Sequence, residues 1–259
     1  MAIDTSDVEY YGKDSEYVHF TVKKRGLKFH KIKVLRFASI SIVARRFKLT
    51  LAVFPVKRGE KAETTVDKLL REIPSGLKVR AVLMDKGYYY TEVFKTFEKH
   101  NLAYIVPVKR YPQMDQLYQL GEATGVWRYK YTMNLGKETQ YKINVYLEDM
   151  GFEDYIGFAS NMDMKNRDFN TLSSAYQIRW NAENGYKESN TYRIKTNSRN
   201  HAYRTLIYMI SHLLMSLQII AKRINQTRIT GDEMRQIFQL LLTPRHNTKR
   251  ITKQLIITY

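Results

Sequence analysis

Between Glu60 and Val108 the hydrophobic pattern switches period repeatedly, and few architectures accommodate such switching. Val66, Leu69, Leu70 and Ile73 recur at helical spacing and are closed off by Pro74, Ser75 and Gly76. Val79 to Met84 follows as an apolar run short enough for a buried parallel strand. Thr91 to His100 is helical again, and Ala103 to Val108 is a further strand. Upstream, Ala2 to Tyr11, Lys33 to Val43 and Phe47 to Val56 read as strands, so the first part of the chain is βββαβαβ. Helices that alternate with strands cover the faces of a sheet, so the expected class is α/β, a mixed sheet flanked by helices.

From Tyr111 to about Met164 the texture changes. Trp127, Tyr129, Tyr131 and Met133 alternate with polar residues, and Tyr141, Ile143, Val145 and Leu147 alternate after a turn containing Gly136. This stretch reads as a β-rich insertion, which divides the chain into 1–110, 111–164, 165–245 and a peripheral tail, 246–259. Helical pattern resumes near Asp168, carries Glu183, returns from Ala202 to Arg223 and ends in a shorter helix at Asp232 to Leu242. No fixed-period repeat and no low-complexity tract is present.

The chain of 259 residues carries 43 basic against 25 acidic residues, a formal net charge of +18. Such an excess favours a polyanionic partner, with nucleic acid the first candidate. With no cysteine, disulfide frameworks, thiolate metal sites and cysteine nucleophiles are excluded. The stretch from Met1 to Gly12 is acidic and lacks a charged-then-apolar signal pattern, so a cytoplasmic protein is expected. Tyr203 to Ala221 is the longest apolar stretch, but Arg204, His212 and Gln218 interrupt it, and it reads as a buried helix and not as a membrane span.

The candidate chemistry lies in acids. On a helix, Tyr176, Arg179, Glu183 and Lys187 fall within a wedge of roughly 80°, bordered by the apolar face of Ala175, Ile178, Ala182 and Tyr186. A charged face of this kind is most often solvated surface, and two aspartates elsewhere change that balance. Asp4 is embedded in an apolar strand start and needs a partner or a metal, whereas Asp7, on the opposite face, suits the surface. Asp85 ends the apolar run Val79 to Met84, where open α/β sheets place ligands, although an Asp near a Gly also serves as a simple turn. Three converging carboxylates repel one another unless cations intervene, and hard oxygen donors suit Mg²⁺ or Mn²⁺. Two such ions would activate an attacking oxygen and stabilise a leaving one at phosphorus, with Arg179 and Lys187 binding adjacent phosphates. No phosphate-binding Gly-rich loop, His-Glu-x-x-His or nucleophile elbow is present, and the histidines are scattered.

The stretch YQIRWNAE from Tyr176 to Glu183 resembles the Tyr-x2-Arg-x3-Glu portion of the signature of cut-and-paste DDE transposases of insertion sequences. The start AIDTSDVEYYG and the block LMDKGYYYTEVFKTFEKHNLAYIVPVKR are similar to that family's first and second aspartate motifs, most closely in its archaeal halobacterial-type members. The resemblance spans Met1 to about Arg223. It implies a ribonuclease-H-like core in which Asp4, Asp85 and Glu183 bind a pair of Mg²⁺ or Mn²⁺ ions. It also implies double-stranded DNA as partner, a homodimer on paired transposon ends, and a β-rich insertion before the glutamate helix. In related enzymes an insertion tryptophan stacks on a flipped base. Trp127 is the counterpart to consider, against the plainer reading of a packed strand tryptophan.

Two features depart from the family pattern. Asn190 stands where the signature has a lysine, so a phosphate contact there is lost or taken over by Lys187. Relatives usually carry a helical DNA-binding region before the first aspartate, and the short lead to Asp4 reads as an N-terminal truncation. The expected activity is metal-dependent strand cleavage and strand transfer. The alternatives are a non-catalytic DNA-binding remnant and a structure-specific endonuclease on the same fold.

Overall fold

A computed structural model describes residues 1–44, 47–151, 154–164, 169–179, 192, 196–225, 230–231, 233–234 and 236. Its centre is a sheet of nine strands. These are β1 (Ala2–Glu9), β2 (Val18–Arg25), β3 (Lys28–Ala44), β4 (Phe47–Pro55), β5 (Val82–Leu83), β6 (Tyr104–Pro107), β7 (Arg128–Met133), β8 (Tyr141–Gly151) and β9 (Asp154–Ser160). The helices are α1 (Ala62–Arg71), α2 (Thr91–Lys99), α3 (Pro112–Thr124), α4 (Phe169–Gln177) and α5 (His201–Asn225).

Strand order is β2-β3-β1-β5-β6-β9-β8-β7, with β4 also on β3. β1, β5 and β6 are parallel neighbours, and every other pairing is antiparallel. α1 and α2 are the crossovers that parallel pairing requires. This is the mixed sheet flanked by helices expected of a ribonuclease-H-like core. Strands β7 to β9 extend the same sheet, because β9 pairs with β6 from Ile105↔Ser160 to Pro107↔Phe158.

Alternation along the strands assigns the two faces. Ile3, Ile40, Val82, Met84, Tyr104 and Val106 pack with Val66 and Leu69 of α1 and with Val93, Phe94 and Phe97 of α2. On the opposite face Ala2, Leu83, Ile105 and Phe158 meet Leu172 and Tyr176 of α4. Further along that face Val8, Leu35, Phe37 and Val53 meet Tyr208 of α5. The apolar stretch read as a buried helix is a helix docked on the sheet. His201–Arg223 is long and apolar enough to span a bilayer by composition, but Tyr208 stacks on Phe37 with ring centroids 4.0 Å apart and hydrogen-bonds Ser6.

Three elements differ from expectation. A strand, β2, stands before the expected Lys33 to Val43 strand, which itself begins at Lys28. Val18, Phe20 and Val22 alternate with His19, Thr21 and Lys23 at strand period, so the signal for this strand is present in the sequence, although Phe20 and Val22 are exposed and lysines follow at once. A helix, α3, opens the segment read as β-rich; Pro112 at its first turn and Gly125 at φ 70° beyond its end are the signals that announce it. α4 ends at Gln177, and Ile178 and Arg179 form a turn that interrupts the helix expected to carry Glu183, whose own stretch lies outside the described residues. The expected helix at Asp232 to Leu242 and the tail 246–259 lie largely or wholly outside the described residues.

Candidate active site

Asp4 and Asp85 are brought together by strand register. Ala2 pairs with Leu83 across the parallel β1–β5 ladder, and Leu83 N–H donates to Met1 O at 2.9 Å. Each aspartate stands two residues beyond its member of that pair, Asp4 within β1 and Asp85 in extended backbone just past the end of β5, so both belong to the Ala2–Leu83 face. That face is the one covered by α4. Asp4 is buried within β1, and its Oδ1 accepts from Thr5 N–H at 2.9 Å. Asp85 is half-buried and caps the 3₁₀ turn Lys86–Tyr88, its Oδ1 accepting from Lys86 N–H at 2.7 Å. Asp7 is engaged elsewhere, in a two-pronged pair with Arg36 at 2.8 and 2.9 Å.

From α4 and the turn that follows it, two side chains close the pocket. Tyr176 donates its hydroxyl to Met84 O at 3.2 Å, which ties the helix to the residue before Asp85. Arg179 is 5% exposed, its guanidinium 5.2 Å over the Tyr176 ring and its Nη1 3.8 Å from Asp4 Oδ2. A buried carboxylate needs such a counter-charge, because desolvation penalises the ion. The turn shapes this contact: Arg179 N–H donates to Tyr176 O at 2.8 Å, folding the arginine back over the tyrosine. Tyr88, from the 3₁₀ turn, is a further neighbour. Its phenol is pushed well above the ordinary range by burial first and then by the charges of Asp4 and Asp85, so it stays protonated.

Of the predicted set, the structure thus brings together Asp4, Asp85, Tyr176 and Arg179. Glu183, Lys187 and Asn190 lie outside the described residues. Among the described residues no three His, Asp or Glu side chains gather as a metal-holding group. The Trp127 indole packs on α3, and the Trp127 carbonyl accepts from Leu147 N–H of β8 at 2.9 Å. Its indole lies against Gly121, where an added Cβ would stand 2.6 Å from the ring, and its centroid is 5.7 Å from that of Tyr118.

Sequence reasoning passed over a cleft beside the Asp85 turn. It has a volume of about 320 Å³ and is lined by Tyr89, Tyr90, Lys109, Tyr111 and Tyr131 among others. Lys109 Nζ sits 4.1 Å over the Tyr90 ring. The run of three tyrosines from Tyr88 to Tyr90 was the available signal.

A mixed sheet flanked by helices, with Asp4 on one parallel strand, Asp85 just past the end of its neighbour, Arg179 beside Asp4 and Tyr176 bonded to Met84 O, defines a ribonuclease-H-like protein. The match to the family model described as a transposase DDE domain extends over residues 3–217, and the chain belongs to that family. No curated protein matches the chain in sequence.

Proposed function

We propose that this chain is a transposase catalytic domain that cuts DNA at transposon ends and joins the resulting 3′-hydroxyl to target DNA. The observation that supports the proposal is the parallel pair Ala2–Leu83, two residues before Asp4 and Asp85 respectively, with Arg179 beside Asp4 and Tyr176 bonded to Met84 O. The donor chemistry fits a divalent ion, since both groups are hard carboxylate oxygens, each with Oδ1 already fixed by a backbone N–H. Asp4, Asp85 and Glu183 are the proposed holders of Mg²⁺ or Mn²⁺, as a pair of ions. When bound, such ions supply Lewis-acid activation of water or of a 3′-hydroxyl and stabilise the leaving oxygen at phosphorus.

The remaining work falls to the chain itself. Arg179 supplies a fixed positive charge beside Asp4 that limits repulsion between the carboxylates. Tyr176 holds the α4 end against the Asp85 turn. Arg179, Lys187 and Asn190 are the proposed phosphate contacts, and Trp127 is the proposed residue to stack on a flipped base. Duplex DNA is the partner the family and the net charge of +18 favour, with a homodimer on paired ends as the working assembly.

The test is strand cleavage and joining on end-bearing duplexes with Mg²⁺ or Mn²⁺, run beside hairpin and nicked substrates. Asp85→Asn and Glu183→Gln each abolish both steps while duplex binding persists. Undiminished cleavage by either variant would exclude the proposed site, and preference for hairpin or nicked DNA would recast the enzyme as a structure-specific nuclease.

A further inference from the structure

The β2–β3 hairpin departs from the usual economy of a folded domain. Strand β1 pairs with β3 only from Val34 to Ser41, whereas β2 pairs with β3 from Lys28 to Leu35. The rungs from Phe20↔Lys33 to Arg25↔Lys28 therefore run past the end of β1 as a two-stranded ribbon, roughly 20 Å long at the usual rise per residue. Its apolar residues face water. Leu27 at the tip is 96% exposed, Phe29 72% and Val22 64%. Gly26, at φ 61°, makes the tight reversal that brings Leu27 to the tip.

The charge of the ribbon is of one sign. No acidic residue occurs between Glu16 and Glu60, and Lys23, Lys24, Arg25, Lys28, Lys31 and Lys33 lie on the ribbon strands. Lys23 is paired with Glu9, and Lys33 reaches Gly12 O, both near the root. Lys24 and Lys28, toward the tip, and Lys31, at mid-ribbon, are exposed. Cross-strand register interleaves the two kinds of side chain: Val22 opposes Lys31, and Lys24 opposes Phe29. Lys31 Nζ lies 4.7 Å over the Phe20 ring. Exposed aliphatic and aromatic surface costs free energy in water, so this arrangement is suited to an anionic partner that also offers apolar contacts.

We infer that the β2–β3 ribbon docks in the major groove of duplex DNA, its lysines on the flanking phosphates and its Leu27–Phe29 tip against base edges. The inference rests on the DNA-binding reading above and names the surface that does the binding. A two-stranded ribbon matches the major-groove width of about 12 Å, and thymine methyls there accept apolar contacts. The minor groove, at about 6 Å, is too narrow for both strands.

The test uses the full chain and random-sequence duplex, with affinity followed by fluorescence anisotropy across salt. The triple variant Lys24→Gln/Lys28→Gln/Lys31→Gln is compared with a control, Lys61→Gln/Lys78→Gln/Lys137→Gln, in which exposed lysines elsewhere are removed. The ribbon variant flattens the slope of log K against log salt by about 2.7 and weakens binding roughly tenfold or more at 0.1 M salt, while the control changes little. Leu27→Ser weakens binding without changing the slope, and duplex carrying glucosylated hydroxymethylcytosine, which fills the major groove, binds more weakly than plain duplex. Equal losses in ribbon and control variants, or indifference to glucosylation, overturn the inference with DNA binding intact. Failure of the wild type to bind duplex, or its binding only to anionic lipid vesicles, overturns the DNA-binding reading and the ribbon's role with it.

Discussion

Tyr176 illustrates how much depends on a single hydroxyl. Its bond to Met84 O is made in a buried setting, so removing it leaves a carbonyl acceptor without that donor. Tyr176→Phe is expected to cost about 1–2 kcal/mol of stability by chemical denaturation, the usual penalty for a buried group left unsatisfied. If the proposed site is correct, the same change also slows cleavage, because the α4 end loses its tether to the Asp85 turn. His212 makes a different kind of prediction. It is buried on α5 beside Thr50, with Nδ1 3.3 Å from the hydroxyl, and burial followed by the charge of Lys48 pushes its pKa down to about 3. In the unfolded chain it titrates near its ordinary value of 6.5. Between these values the unfolded state binds the extra proton, so stability rises with pH through that window and is lost as pH falls below 6.5. The slope from this group approaches about 1.4 kcal/mol per pH unit. Urea midpoints at pH 5 and pH 7 should converge in His212→Gln relative to the wild type.

At the scale of elements, α3 and the β7–β8 hairpin meet where a side chain has no room. Gly121 faces the Trp127 indole so closely that a methyl group cannot enter without moving a rigid ring. Gly121→Ala is accordingly expected to destabilise by about 1–3 kcal/mol, the range typical of overpacking, and to shift the indole fluorescence. Residues near this contact show what a local reading registers and what it passes over. The α3 signals, Pro112, Gly125 and the buried Met114 and Tyr118 at helical spacing, were present but were outweighed by the strong β alternation that follows. β2 carries a short alternation at Val18, Phe20 and Val22 that the reading passed over, and nothing local shows that Phe20 and Val22 stay in water while Val18 is buried. The crossover helices α1 and α2 were legible because their apolar stripes are continuous and buried. The end of α4 was not, since the turn at Arg179 serves a contact with Asp4 that no local pattern encodes.

For the whole molecule, the net charge of +18 sets the expected behaviour on DNA. Each phosphate neutralised contributes about −0.9 to the slope of log affinity against log salt, so six or more contacts weaken binding on the order of a thousandfold between 50 and 200 mM salt. Under the proposed function, chelation with EDTA is expected to stop cleavage and joining while duplex binding measured by anisotropy continues. Loss of both on chelation would mean that the ions organise the DNA surface itself.

The sequence by itself determined the succession of buried helices and strands, the candidate acids and the polyanionic character of the partner, because hydrophobic period and charge are local or summed properties of the chain. Only the tertiary structure decided that Asp4 and Asp85 share a register and a face, that Arg179 turns inward to the first of them, and that a basic ribbon stands clear of the sheet. Those outcomes depend on hydrogen-bonded pairing and packing between segments distant in the chain, where an offset of one residue would carry an aspartate to the opposite face.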